Sequence, residues 1–192
     1  MTMPLNLPNV ISLLRIASIP FLVILAHKGR ETAFFYLFLG AAFSDVLDGF
    51  IARRFNLKTP WGSRLDSFAD FLLYMATLYG IYLLKWNEFG EYRALAALFL
   101  VFFLLPDFFS LIRFGTVSHL HLYSWKIGGV LQFAFIIFLF VEGFNDSFFI
   151  LVWVWTLLAF SENMIIQFLA RKPLDNVKTF FWFWRQRQAG NI

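Results

Sequence analysis

Six runs of roughly twenty mostly apolar residues, joined by short polar connections, take up most of this 192-residue chain. A run of that length matches the hydrocarbon thickness of a bilayer, about 30 Å, when it is helical. The candidates are Pro8–Ala26, Thr32–Arg53, Gly62–Leu84, Tyr92–Phe114, Ser124–Val141 and Ser147–Leu169. Helix interrupters fall between them, among them Lys28-Gly29-Arg30, Thr59-Pro60 and Gly143-Phe144-Asn145-Asp146. Lipid allows only structures that satisfy their own backbone, so an all-α membrane protein is expected, with six transmembrane helices in one bundle. No repeat and no long linker suggests a second domain, and the first run reads as a retained span rather than a cleaved signal.

Charge placement sets the expected orientation. Of sixteen Lys and Arg, eleven fall on the side that carries the 2–3 and 4–5 connections and the tail. Basic residues concentrate on the cytoplasmic side, so both termini are expected there, in a cell inner or plasma membrane. From about residue 171 the tail mixes Phe180, Phe181, Trp182, Phe183 and Trp184 with Arg185 and Arg187, a composition suited to the membrane interface. With 60% hydrophobic and 15% charged residues, and no basic stripe away from the membrane flanks, nucleic-acid binding is excluded. The absence of cysteine removes thiolate metal sites and thiol nucleophiles.

Against this background four carboxylates stand out. Asp45 and Asp48 lie near the end of the second run, and Asp66 and Asp70 near the start of the third. Each Asp near a span centre costs about 2.5–3.5 kcal/mol, less towards the interface, so such residues normally face the bundle interior and mark function. Spacings of three and four put each pair on one helical face. Two such faces make an oxygen-rich cage at the cytoplasmic ends of spans two and three. Two divalent cations would balance its charge, and oxygen-only ligands favour Mg²⁺, Mn²⁺ or Ca²⁺. Gly49, Ala52 and Gly62 leave room for a ligand's close approach, and Arg53 sits one turn beyond Gly49, near the mouth, within reach of a pyrophosphate. The plainest alternative has the aspartates pairing with Arg53, Arg54 and Arg64. A rival function, divalent-cation transport, lacks a carboxylate track to the other face of the membrane.

The pattern Asp45-x2-Asp48-Gly49-x2-Ala52-Arg53-x8-Gly62-x3-Asp66-x3-Asp70 resembles the full signature of the CDP-alcohol phosphotransferase family. The resemblance implies a homodimer with a cytoplasm-facing cleft. It implies two cations, Mg²⁺ or Mn²⁺, held by Asp45, Asp48, Asp66 and Asp70, with Asp70 as general base. Gly49, Ala52, Arg53 and Gly62 would line the pocket for the CDP moiety of a CDP-diacylglycerol-like donor, and CMP would leave. The opening segment, with Pro8, Asn9, Ser12 and Arg15, is similar to that of phosphatidylglycerophosphate and phosphatidylinositol-phosphate synthases. Asn9 and Ser12 could meet the nucleotide, though helix capping explains Asn9 equally well.

For the acceptor alcohol, Arg113, Lys126 and Arg171 are candidates to hold a phosphate, which makes glycerol 3-phosphate the favoured substrate. Ser110, Arg113, Lys126 and Gln132 resemble positions of phosphatidylglycerophosphate synthases. Trp125, Gly128 and Gly129 depart from that pattern, as does Phe71. The run Leu65–Asp70 resembles phosphatidylserine synthases more closely, so serine and inositol phosphate stay open. Among other polar residues, Glu162 is expected to make an interhelical hydrogen bond or to stay protonated, and His119 and His121 to lie in a solvated loop.

Overall fold

The computed structural model describes residues 6–189 apart from 58, 117, 119, 121, 171 and 175. It is 85% helical, with no strand among the described residues. Six helices are long and apolar enough to cross a membrane. They are α1 (Leu7–His27), α2 (Glu31–Arg54), α3 (Pro60–Leu84), α4 (Arg93–Phe114), α5 (Tyr123–Val141) and α6 (Asp146–Leu169). A 3₁₀ stretch, Trp86–Tyr92, precedes α4, and a short helix, α7 (Phe180–Gln188), follows α6. Each span begins and ends within about two residues of its sequence expectation, a margin usual for helix ends. His119 and His121 lie outside the described residues.

Local chemistry explains the helix starts. The Asn6 side chain accepts from Asn9 N at 3.1 Å and caps α1, with Pro8 in the first turn. Thr59 accepts from Gly62 N at 3.0 Å, and Pro60 opens α3. Asn145 and Thr179 cap α6 and α7 in the same way. Such caps satisfy amides that have no partner within the helix.

The chain forms two compact units, Met1–Glu88 and Phe89–Ile192. In the first, α1 packs against both α2 and α3. Its buried face runs through Pro8, Asn9, Ser12, Arg15, Leu22 and Ala26, polar at one end and apolar at the other. Phe34, Phe38, Ala69, Leu73 and Ala76 of α2 and α3 are likewise buried in the core of this unit. Gly80 is needed there, because a Cβ at that position would fall on the ring of fully buried Phe34. At the end of this unit away from the aspartates, Lys85 Nζ pairs with Glu31 at 2.5 Å and Glu88 at 2.8 Å. Burial acts to lower the pKa of Lys85, but the two glutamates outweigh it and hold the group above the ordinary lysine value. Its contribution to stability is therefore full below the usual lysine titration and is lost as pH rises through the raised value.

In the second unit, α6 packs against α4, α5 and α7. Phe89, Phe135, Phe144 and Phe149 form an aromatic cluster with centroids 4.8–6.5 Å apart. Glu162 accepts from Ser124 Oγ of α5 at 2.5 Å, the expected interhelical bond, and from Phe180 N at the start of α7 at 2.7 Å. The tail thus contains a helix docked through Phe183 onto a core with Leu122, Ile166 and Val177, while Phe181 stays 80% exposed.

Replacing Gly80 with Ala forces the Phe34 ring to shift and should lower stability by about 1–3 kcal/mol. Gly129→Ala, whose Cβ meets nothing within 4 Å, should be neutral or stabilising by up to about 1 kcal/mol. Thermal unfolding of the two variants in detergent checks this; equal midpoints would contradict the packing described.

Candidate active site

The polar half of α1 faces the ends of α2 and α3 that carry the four aspartates, and one side chain joins them all. Arg15 Nη2 lies 2.5 Å from Asp48 Oδ2. Its Nη1 lies 2.5 Å from Asp70 Oδ1, 3.2 Å from Asp66 Oδ1 and 3.4 Å from Asp45 Oδ1. Nε donates to Ser44 Oγ at 3.2 Å, and Ser12 Oγ donates to Asp48 Oδ2 at 3.3 Å. The Arg15 side chain is wholly enclosed and Asp48 is 3% exposed, whereas Asp45, Asp66 and Asp70 are 39–46% exposed. The guanidinium is the floor of the cage, and three carboxylates open outward from it.

This bears on two alternatives that the sequence raises. The aspartates pair with Arg15, and among the described residues no ion pair reaches them from Arg53, Arg54 or Arg64, which are exposed. The α1 cap is Asn6, so Asn9 is freed from that role and is buried at the site. Arg15 is the functional residue that motif reading misses. Its signal is present in the sequence: it is the one Lys or Arg inside the first apolar run, and a lone cation at that depth needs acidic partners.

With all four carboxylates ionised, one guanidinium would leave the cage with a net negative charge. Asp45, Asp48 and Asp66 each offer an oxygen within 4.8 Å of the other two. Ligand oxygens around a hard divalent cation lie about 3–5 Å apart at the usual bond lengths, so this trio fits such an ion with small adjustment. Asp70 lies beside the trio and is tied to it through Arg15.

Next to the cage is a cleft of about 210 Å³, lined by Asp48, Gly49, Ala52 and Arg53 of α2 and by Gly62 and Asp66 of α3. Pro8, Asn9 and Ser12 supply the α1 wall. All four small or basic positions singled out in the sequence therefore line one cavity. Arg53 folds back over Gly49, where a Cβ would stand 3.4 Å from Nη1. At Gly62 a Cβ would strike Asn9 Oδ1 and Thr59 Oγ1, so glycine is what lets α1 approach α3.

The second unit carries the other predicted cations. Arg113, exposed on α4, donates from Nη2 to Ala170 O at 3.2 Å, with the rings of Phe109, Phe114 and Phe168 within 5.4–5.9 Å. Lys126 is exposed on α5, 5.4 Å from the Tyr123 ring. Arg171 lies outside the described residues.

The family of CDP-alcohol phosphatidyltransferases matches residues 5–161, a stretch that contains every residue of the cage and the cleft. The chain belongs to that family. Among curated relatives, a Rickettsia bellii CDP-diacylglycerol–glycerol-3-phosphate 3-phosphatidyltransferase is 35% identical over 56% of this chain and 61% of its own. The same-named protein of Pseudomonas fluorescens is 36% identical over 38% of this chain and 40% of its own. A cardiolipin synthase (CMP-forming) of Oryza sativa is 43% identical over 38% of this chain and 23% of its own. The chain thus spans about a quarter to three fifths of the length of these relatives. No solved structure matches it. Family and spans together make this CDP-alcohol phosphatidyltransferase family member an integral membrane protein whose aspartate cluster can hold metal.

Asp48→Ala takes from Arg15 Nη2 its only carboxylate partner among the described residues, leaves that buried donor unmatched, and should cost about 1–3 kcal/mol. Asp45→Ala, at a site 44% exposed, should cost under about 1 kcal/mol. Unfolding midpoints measured with chelator present check the ranking, and a larger loss at Asp45 would contradict the floor geometry.

Proposed function

We propose that the protein is a metal-dependent phosphatidyltransferase that moves a phosphatidyl group from CDP-diacylglycerol to glycerol 3-phosphate and releases CMP. The observation that carries this reading is the shared cleft: every small and basic residue of the motif lines it, and two of the cage carboxylates form its wall. Asp45, Asp48 and Asp66, with Asp70 beside them, would hold two divalent cations, Mg²⁺ or Mn²⁺. When bound, these cations supply charge neutralisation for a diphosphate and for the departing CMP.

The chain's own residues do the rest. The CDP moiety enters over Gly49, Ala52 and Gly62, whose missing or short side chains let phosphates approach the backbone. Arg53 contacts the pyrophosphate. The acceptor oxygen attacks the phosphorus that bears the diacylglycerol, the bond from that phosphorus to the bridging oxygen breaks, and CMP leaves with that oxygen. Asp70 takes the proton of the attacking hydroxyl; at 46% exposure it is open to such an acceptor.

Glycerol 3-phosphate is favoured because the Rickettsia and Pseudomonas relatives carry it in their names and because Arg113, Lys126 and Arg171 suit a phosphorylated acceptor. A second reading, with a lipid alcohol as acceptor to give cardiolipin, rests on the name of the rice relative. The proposal includes a single membrane domain with cytoplasmic termini, supported by the Lys and Arg bias, and a homodimer, supported by family resemblance.

The test is CMP release by purified protein given CDP-diacylglycerol and Mg²⁺ or Mn²⁺, with glycerol 3-phosphate, phosphatidylglycerol, serine and inositol phosphate supplied separately. Release with glycerol 3-phosphate is expected, falling about 10²–10⁴-fold in a folded Asp70→Asn protein. Full activity in that variant would remove Asp70 as the base. Cation flux into proteoliposomes without any CMP release would favour transport instead. Arg113→Ala should raise the apparent KM for glycerol 3-phosphate, and an unchanged KM would take that residue out of acceptor binding.

A further inference from the structure

Arg15 touches all four carboxylates but is not part of the lining of the cleft. It is therefore placed to act on the site and not on a substrate. Its atoms meet one oxygen of each carboxylate: Oδ1 of Asp45, Asp66 and Asp70, and Oδ2 of Asp48. The second oxygen of each of these groups is not taken up by Arg15. The guanidinium is also fixed in orientation. Nε is bonded to Ser44 Oγ, which in turn donates to Ala41 O at 2.7 Å, and the Asp48 oxygen that Nη2 meets also accepts from Ser12. An arginine keeps its charge under any ordinary condition, so this is a permanent cation bonded to the inner side of the cage.

We propose that Arg15 is a positioning residue and the resident counter-ion of the carboxylate cage, holding the four aspartates together in the metal-free protein and opposing divalent cations when they bind. This rests on the reading that Asp45, Asp48 and Asp66 are metal ligands. Two consequences follow from charge alone. Without a divalent cation, the guanidinium on α1 is what keeps the four carboxylates of α2 and α3 from repelling one another apart. With one, two positive groups share the same ligands and each weakens the other. The site is thereby kept assembled between metal-binding events, and its affinity is held below what four free carboxylates would give.

The direct test is Mn²⁺ binding without nucleotide, followed by electron paramagnetic resonance on purified protein in nanodiscs. Four proteins are compared: wild type, Arg15→Gln, Arg15→Lys and Asp48→Asn. Removing the charge in Arg15→Gln should tighten Mn²⁺ binding about tenfold or more, the scale set by one charge acting on a neighbour within about 4–6 Å. Arg15→Lys keeps the charge and should stay close to wild type. Unfolding midpoints give the second readout: Arg15→Gln should be strongly destabilised in chelator and should gain more from Mn²⁺ than wild type does. Unchanged or weaker Mn²⁺ binding in Arg15→Gln would overturn the proposal. If Arg15→Gln does not fold, Arg15→Lys decides alone, and about tenfold weaker binding there would show that fork geometry, not charge, is what matters. Wild type that binds no Mn²⁺ sensitive to Asp48→Asn would overturn the metal reading itself. Tight, Asp48-dependent binding that Arg15→Gln leaves unimproved would overturn only the counter-ion proposal.

Discussion

A guanidinium with no exposed surface, set among four carboxylates at the end of a transmembrane helix bundle, is the contact on which the first unit depends. In lipid neither partner is tolerable alone. A charged side chain at mid-span costs about 2.5–3.5 kcal/mol on insertion, and breaking a buried pair costs about 3–5 kcal/mol. Arginine suits the position because its five donors fan out in a plane, so a single residue on α1 can serve pairs on α2 and α3 and still bond Ser44. Helix positions then follow. The three elements must come close enough for one side chain to span them, and Gly62 on α3 and Ala69 in the core are small where that closeness is required.

The same contact divides the site into an inner and an outer part. Inside, Arg15 and Asp48 are closed to solvent and held by Ser12 and Ser44. Outside, Asp45, Asp66 and Asp70 are more than a third exposed, and Asp66 also borders the cleft with Gly49, Ala52, Arg53 and Gly62. A rigid floor under accessible oxygens is what electrostatic catalysis at a phosphate needs, since ligands held in place before the reaction have little reorganising to do during it. The second unit uses different means. Phenylalanines interlock at one end, and Glu162 ties α5 and the start of α7 to α6.

Much of this is legible in the sequence, for physical reasons. Lipid imposes length and hydropathy on each span, so the six helices could be located from apolar runs alone. The aspartates at spacings of three and four announce themselves because charge is so rare in such helices. Arg15 escapes because its partners are distant in sequence, and a single arginine in an apolar run gives no clue to which acids it meets. For Asn9 the sequence leaves capping and nucleotide contact equally open, because Asn6, three residues earlier, is a capping residue too and only backbone geometry shows that Asn6 is the cap. The α7 helix was hidden by its composition: aromatic and basic residues read as an interfacial tail, and the Glu162 tether that makes part of it a docked helix is a long-range bond.

The central question is whether metal and nucleotide meet at the Arg15 cage. An experimental structure of the protein with Mn²⁺ and CDP, read from the anomalous scattering of manganese, addresses that directly. The expected result is manganese bound to Asp45, Asp48 and Asp66, with the diphosphate of CDP beside it and the cytidine in the cleft over Gly49, Ala52 and Gly62. Manganese bound elsewhere, or CDP outside that cleft with the cage unchanged, would contradict the account.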